Sequence, residues 1–382
     1  MPFAYLDLNM LDRNIADIAA AAGSKNIRVA SKSIRSVDVL RRILDAGAPY
    51  RGIMCYTASE AAFLADRGFD DLLLGYPTWE EKGIRALVDR IAAGKLIVLM
   101  VDCAEHVARI ERIARERGFR VPLCLDVDMS ASYPGLRFGV WRSPVSGWEQ
   151  AKPVVEAIVG SPWLQLDGIM GYEAQIAGVG DDVPGSALKN RIVRLLKTRS
   201  VSEVARRRAE VVRGIETLGA KLRFVNAGGT GSLASSREEK DVSEITAGSG
   251  FYSPVLFDHY KSFRYMPAAG FAAEIVRRPR ADIVTCMGGG YVASGAAGTT
   301  KLPLPYLPEN LRLFPLEGAG EVQTPLLANR PEHRGLRIGD PVFFRHAKAG
   351  ELCERFECLH VVSEGVVVGQ YATYRGMGEN FL

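Results

Sequence analysis

The chain has no uninterrupted apolar stretch long enough to cross a bilayer, which excludes a membrane-spanning helix. Its opening, Met1-Pro2-Phe3-Ala4-Tyr5-Leu6-Asp7, shows neither a basic region followed by an apolar run nor a small-residue cleavage site, so a cytoplasmic protein without a leader is expected. No lysine- or arginine-rich run interleaves with aromatics, and a formal net charge of +4 is spread along 382 residues. Nucleic-acid binding therefore has no support, and the basic cluster Arg206-Arg207-Arg208, lying in a helical pattern, reads as a solvated face. The six cysteines (Cys55, Cys103, Cys124, Cys286, Cys353 and Cys358) lack paired spacing, which points to reduced thiols. Also missing is a Gly-x-Gly-x-x-Gly turn after the first strand of the alternating region, and its absence disfavours an open dinucleotide-binding sheet.

What is present is enough apolar sequence, 47% of residues, to fill the cores of two domains. From Asn26 onward short apolar strands alternate with helical patterns. Strands are expected at 26–31, 52–56, 71–75, 96–101, 121–128, 164–172, 223–226 and 244–247. Helices before and between them stop at Gly23, Gly47 and Gly68, and capping boxes are expected at Thr57 to Glu60 and Thr78 to Glu81. Pro153 interrupts one helical region, and a long helical pattern before the seventh strand is expected to break near Thr198 to Ser202. Eight such units call for a closed (β/α)₈ barrel of the TIM type, here over residues 9–251. After Tyr252 helical periodicity disappears. Strands at 272–277, 282–287, 311–317, 341–345 and 359–370, separated by Gly- and Pro-rich turns, give a second, mostly β domain from 252–382, which residues 1–8 can join.

The first strand ends on Ser31-Lys32-Ser33. Taken alone, Lys32 reads as a solvated lysine in a strand-to-helix loop. At the carboxyl end of a barrel strand, however, it faces the mouth where active sites are built. Asn226-Ala227-Gly228-Gly229-Thr230-Gly231-Ser232 follows the seventh strand, and Ala247-Gly248-Ser249-Gly250 follows the eighth. Loops in these two positions commonly hold a phosphate, because glycines allow close approach and hydroxyls add donors. A lysine at strand one with a phosphate after strands seven and eight suggests pyridoxal phosphate held as a Schiff base, an electron sink for charge at an amino acid α-carbon.

These features together resemble the fold-type III pyridoxal phosphate enzymes, specifically the D-threonine aldolase and D-serine dehydratase group. The resemblance covers nearly the whole chain: Tyr5-Leu6-Asp7-Leu8 and Leu11-Asp12-Arg13-Asn14-Ile15, the lysine strand, both glycine loops and the β tail. It implies that Lys32 carries the cofactor. It also implies that Arg137, in Gly135-Leu136-Arg137-Phe138-Gly139 after Asp126-Val127-Asp128, approaches the ring, and that Tyr172 lies beside it. By the same resemblance Gly229, Thr230, Gly248 and Ser249 bind phosphate, with Asn226 at the base of the first loop. Where relatives often have a histidine three residues after the tyrosine, this chain has Gln175.

The resemblance further implies a divalent ion in the β domain, and the local sequence offers His346 and Cys353 as ligands, more widely spaced than in the family pattern. Histidine plus thiolate suits zinc; Glu351 in place of Cys353 suits manganese. The implied activity is a retro-aldol lyase on D-β-hydroxy-α-amino acids, yielding glycine and an aldehyde. Dehydration to a keto acid is the alternative. A racemase would need a second base, for which Tyr172 is available, and a homodimer is implied. The roles of Gly288-Gly289-Gly290 and of His259 stay open at this level, as packing elements or site residues.

Overall fold

The computed structural model describes residues 1–133, 135–296 and 298–381. The chain divides into two compact units. One comprises residues 18–32, 42–248 and Phe381; the other comprises 1–17, 33–41 and 249–380.

The first unit is a closed barrel of eight parallel strands in consecutive order: Asn26–Ala30, Tyr50–Cys55, Leu72–Leu74, Ile97–Val101, Val121–Asp126, Leu164–Gly171, Phe224–Ala227 and Glu244–Ala247. The eighth strand closes on the first, Glu244 lying opposite Asn26. Every residue of the third and fourth strands is buried, which is why they read as continuous apolar runs rather than alternating ones. Inside, Leu73, Val98, Met100, Cys124, Met170 and Phe224 pack together. A polar chain shares the interior: Arg28 Nε donates to Glu244 Oε1 at 2.6 Å, and Asn226 Nδ2 donates to Glu244 Oε1 and Thr246 Oγ1, both at 2.9 Å.

Several local expectations change. The helix Ala187–Thr217 runs without a break through Thr198 and Ser200. Thr198 Oγ1 donates back to the Arg194 carbonyl within the same helix, and Ser200 Oγ lies 3.3 Å from the Tyr133 hydroxyl, so neither hydroxyl ends the helix. Helix Trp148–Val159 likewise continues through Pro153. The expected capping box at Thr57 forms in altered register: Thr57 Oγ1 accepts from Glu60 N, while the Glu60 carboxylate accepts from Tyr56 N. The one at Thr78 does not form. Glu81 pairs with Arg85 and Arg112 instead, and the helix begins at Glu81. Of the basic cluster only Arg206 is solvated; Arg208 is fully buried between Glu173 and Glu239.

The second unit is built on a nine-stranded sheet. The amino-terminal strand Phe3–Asp7 lies at its centre, antiparallel to Ala269–Arg280 and parallel to Cys358–Ser363. The single strand expected over 359–370 is a hairpin, Cys358–Ser363 and Val366–Ala372, turning at Glu364 and Gly365 with φ of 50° and 77°. Leu304–Leu307 and Gln323–Leu327 are strands that turn-rich sequence concealed. All six cysteines are free thiols. No helix among the described residues is long and apolar enough to cross a membrane.

Candidate active site

Lys32 sits in a single 3-10 turn directly after the first barrel strand. Its Nζ donates to the Tyr76 hydroxyl at 3.2 Å and lies 5.7 Å from that ring's centroid. Tyr76 stands two residues beyond the third strand. The Arg142 guanidinium approaches the same ring, 5.9 Å from its centroid. Burial raises the Tyr76 phenol, but Lys32 and Arg142 outweigh it and hold it below the usual tyrosine value. Two cations from separate loops therefore converge on one phenol at the carboxyl end of the barrel.

Tyr172 follows the sixth strand and is pushed up to about 12, by burial first and then by Tyr76 and Glu173, with Arg142 opposing. At neutral pH it keeps its proton and acts as a donor. Its ring reaches the seventh-strand loop: a Cβ on Gly229 would lie 3.2 Å from Tyr172 Cε2 and 3.0 Å from Ala177 Cβ. Gly228 has φ +84°, and a Cβ there would meet Ile245 Cγ2 at 2.6 Å, so the loop admits only glycine. The close-approach cradle expected for a phosphate is present. Its first two amides, however, are engaged: Gly228 N donates to Glu173 Oε2 at 3.2 Å and Gly229 N to Ser232 Oγ at 3.1 Å. Glu173 also accepts from Ser232 and Ser236 hydroxyls at 2.9 and 2.6 Å and from Arg208 at 3.1 Å. One buried carboxylate thus fixes the loop.

Asp126 ends the fifth strand, and burial pushes it up to about 7, with Asp102 and Asp128 adding and Arg142 opposing. Gln175 donates from Nε2 to the Met129 carbonyl at 2.6 Å, while its buried Oε1 has no partner among the described residues. Arg137 is exposed in the antiparallel ribbon Ala131–Tyr133 with Leu136–Phe138, 6.0 Å from the Trp141 ring. Arg142, five residues later, stands beside Tyr76. Sequence reasoning missed Tyr76 and Arg142 because neither belongs to a motif. Asp126 lies in Asp126-Val127-Asp128, and its place at a barrel strand end is the available signal in the sequence.

In the β unit, Ser249 Oγ lies 3.2 Å from Ser33 Oγ. His346 is fully buried, its imidazole pushed down to about 3, chiefly by burial and further by Arg345, with the Ala269 backbone opposing weakly. Neither ring nitrogen makes a well-formed hydrogen bond. Its ring meets Tyr252 edge-on at 6.4 Å. The Cys353 thiol, pushed up to about 12 by burial, donates to the Ile34 carbonyl at 3.4 Å, as does the Tyr252 hydroxyl at 3.0 Å. Glu351 accepts from Ser294 N at 2.6 Å through Oε1, and its buried Oε2 is unpartnered. The neutral, orphaned His346 thus fits a metal ligand. Cys353 would first give up a proton and a hydrogen bond, whereas Glu351 has an oxygen to spare. Gly288-Gly289-Gly290 packs closely, with a Cβ on Gly290 falling 2.2 Å from Gly320, and Thr324 Oγ1 donating to the Gly288 carbonyl. His259 closes the short turn Val255–His259.

Comparison with known proteins follows this geometry. The curated 3-hydroxy-D-aspartate aldolase of Paracoccus denitrificans (strain Pd 1222) is 26% identical over 251 residues, which span 65% of this chain and 59% of that relative's length. D-threonine aldolase from Filomicrobium marinum shares the fold with a TM-score of 0.83 at 17% identity, over 98% of this chain and 95% of that one. D-threo-3-hydroxyaspartate dehydratase from Delftia sp. HT23 does so at 0.77 and 17%, over 98% and 97%. The family model described as alanine racemase, N-terminal domain, matches residues 6–253, which take in all eight barrel strands and Lys32. With well over half its length matched, the chain belongs to the alanine racemase N-terminal domain family.

Proposed function

We propose that this protein is a pyridoxal phosphate-dependent lyase that cleaves D-β-hydroxy-α-amino acids between Cα and Cβ, giving glycine and an aldehyde. The observation that carries the reading is Lys32, at the end of the first barrel strand with its Nζ against Tyr76, in the unit whose seventh-strand loop closes tightly around Gly228 and Gly229. Family membership supports the cofactor, and likeness to the 3-hydroxy-D-aspartate aldolase supports the reaction.

Bound pyridoxal phosphate supplies an electron sink for charge developing at the α-carbon. The chain's own residues do the rest. Lys32 offers the amine, which Tyr76 orients by accepting from Nζ. Thr230, Gly248 and Ser249, with the close approach allowed at Gly229, serve the phosphate, and Asn226 braces the strand beneath. Tyr172 donates from a phenol that keeps its proton, which also makes it a poor second base for racemisation. Gln175 Oε1 is a free acceptor where the relatives often have histidine. Asp126, near 7, is matched to taking the β-hydroxyl proton at neutral pH.

His346 would hold a divalent cation together with Cys353 or, through its free Oε2, Glu351. Such a cation provides Lewis acidity suited to a β-hydroxyl, zinc with the thiolate or manganese with the carboxylate. The active form is proposed to be a homodimer.

The test is product analysis of the cofactor-loaded protein with 3-hydroxy-D-aspartate and D-threonine. Glycine with stoichiometric aldehyde is expected. Keto acid and ammonia without glycine would select dehydration, a reading favoured by the fold shared with the Delftia dehydratase. Turnover of neither substrate would contradict both.

A further inference from the structure

The fourth barrel strand ends at Val101, and Asp102-Cys103-Ala104-Glu105-His106 carries the chain into the helix Ala104–Arg117. Cys103 occupies the helix cap in an extended conformation, its thiol beside the Glu105 carboxylate and the backbone N–H groups of Glu105 and His106. Its Sγ also lies 3.2 Å from His106 Nδ1. Asp102 Oδ1 lies 2.9 Å from the same nitrogen. Among the described residues this is the only group of three or more His, Cys, Asp or Glu side chains whose donor atoms all fall within 4.8 Å of one another.

One imidazole nitrogen cannot satisfy both neighbours. With a proton on Nδ1 it donates to the carboxylate, and the sulfur competes for the same hydrogen. Without one it accepts from the thiol and meets the carboxylate lone pair to lone pair. A cysteine nucleophile activated by histidine and carboxylate needs those two partners on opposite ring nitrogens, so this arrangement is not a catalytic triad. Without a cation the thiol hydrogen turns to the Glu105 carboxylate and Nδ1 serves Asp102; with one, the thiol gives up its proton and all three groups point lone pairs at one centre. Tetrahedral zinc, with bonds of ~2.0 Å to nitrogen and ~2.3 Å to sulfur, sets its ligands roughly 3.3–3.6 Å apart, a few tenths of an ångström from the two separations at His106 Nδ1, while the carboxylate oxygen and the sulfur lie within 4.8 Å of each other. The i, i+3 and i, i+4 spacings place Cys103, Asp102 and His106 on one side of the helix start without backbone change. Asp102 is buried, while Cys103 and His106 are partly exposed, so water has access to a fourth position.

We propose that Asp102, Cys103 and His106 form a zinc-class cation site with one coordination position open to solvent, sharing no residue with the pair His346 and Cys353. Thiolate, imidazole and carboxylate together select a borderline ion over magnesium or calcium. Three protein ligands and an open position are the arrangement of zinc sites that bind or activate a ligand, not of closed structural ones. The site lies at the carboxyl end of a barrel strand, the end that carries Lys32.

The full chain, stripped with chelator, reloaded with Zn²⁺ or Co²⁺ and desalted, is assayed for bound metal and for cobalt–thiolate charge-transfer absorption. Wild type is compared with Cys103→Ser, His106→Ala and the double variant His346→Ala/Cys353→Ser. Serine is a favoured helix cap, so Cys103→Ser keeps the helix start, and its circular dichroism melt checks this. The double variant is expected to retain metal at this site and the band, and Cys103→Ser to lose its share of both. His106→Ala should bind more weakly by over the ~10–100-fold that loss of a mere supporting partner costs. A band unchanged in Cys103→Ser, or no metal retained by wild type beyond what His346 and Cys353 hold, overturns the proposal.

Discussion

Lys32 Nζ and the Tyr76 hydroxyl, on loops after the first and third barrel strands, are hydrogen-bonded at 3.2 Å. The bond fixes a flexible lysine by its tip, and with Arg142 it lowers the phenol that receives it. Replacing Tyr76 by phenylalanine leaves the lysine able to carry cofactor but removes the hydroxyl that receives its Nζ. A hydrogen bond to a charged group is worth about 1.5–3 kcal/mol, so kcat/KM of Tyr76→Phe should fall ~10–100-fold with cofactor content unchanged. Steady-state kinetics beside cofactor absorbance checks this, and unaltered kinetics would remove Tyr76 from the account.

Asp126 gives a pH dependence with a definite sign. Its folded value, about 7, lies above the ordinary 3.8, so its contribution to stability is full below pH 4 and is lost as pH rises through 7. Asp126→Asn should therefore flatten the stability curve between about pH 4 and 7 and stabilise the fold at pH 8, by a few kcal/mol at most. If Asp126 takes the substrate proton, wild-type kcat/KM rises through pH 7 and the variant lacks that inflection. Denaturation and pH-rate profiles read the two effects separately.

The barrel interior carries a charge pair that stands or falls as a unit. Arg28 is fully buried, bonded twice to Glu244 and again to Asp71. Among the described residues, removing Glu244 alone leaves the buried Arg28 with only Asp71 as ion-pair partner and Asn226 with only Thr246. Glu244→Ala should cost about 3–5 kcal/mol, whereas Arg28→Met combined with Glu244→Leu should recover most of it. Thermal unfolding of the singles and the double separates pairing from packing; an Ala variant as stable as wild type would show the pair to be dispensable.

Glu173 holds the seventh-strand loop and the turn after it through bonds from Gly228, Ser232 and Ser236, so Glu173→Gln should loosen phosphate binding specifically. Losing one charge-assisted bond predicts pyridoxal phosphate affinity ~10-fold lower, with affinity for pyridoxal, which lacks the phosphate, unchanged. Fluorescence titration with both ligands decides, since equal losses would point to general unfolding.

His346 distinguishes metal-free from metal-loaded protein. An imidazole buried with both nitrogens unsatisfied costs about 1–3 kcal/mol. His346→Leu should thus raise the melting temperature of chelator-treated protein and remove the stabilisation that added Mn²⁺ or Zn²⁺ gives wild type through this site. A melting temperature that falls in the chelated protein would mean His346 is satisfied without a cation.

The barrel was legible because its strands are short, buried on both faces and punctuated by glycines such as Gly23, Gly47 and Gly68, which adopt positive φ where helices end. The long helix runs on past Thr198 and Ser200 because the Thr198 hydroxyl bonds back to Arg194 O within the helix and the Ser200 hydroxyl meets Tyr133, 67 residues away, which nothing local encodes. Arg208 looked solvated because Glu173 and Glu239, which bury it, are 35 and 31 residues away. Lys32 and the glycine loops announce themselves by position. Tyr76 and Arg142 do not, since what makes them notable is convergence on one ring across 66 positions of sequence, and nothing local encodes that.

The most direct test of the account is the absorption spectrum of the purified protein supplied with pyridoxal phosphate, before and after borohydride, beside Lys32→Ala. The account predicts a visible band in wild type that borohydride abolishes while fixing the cofactor to the peptide containing Lys32, and no such band in the variant. A wild type that gains no band, or a label that maps to another lysine, would contradict it.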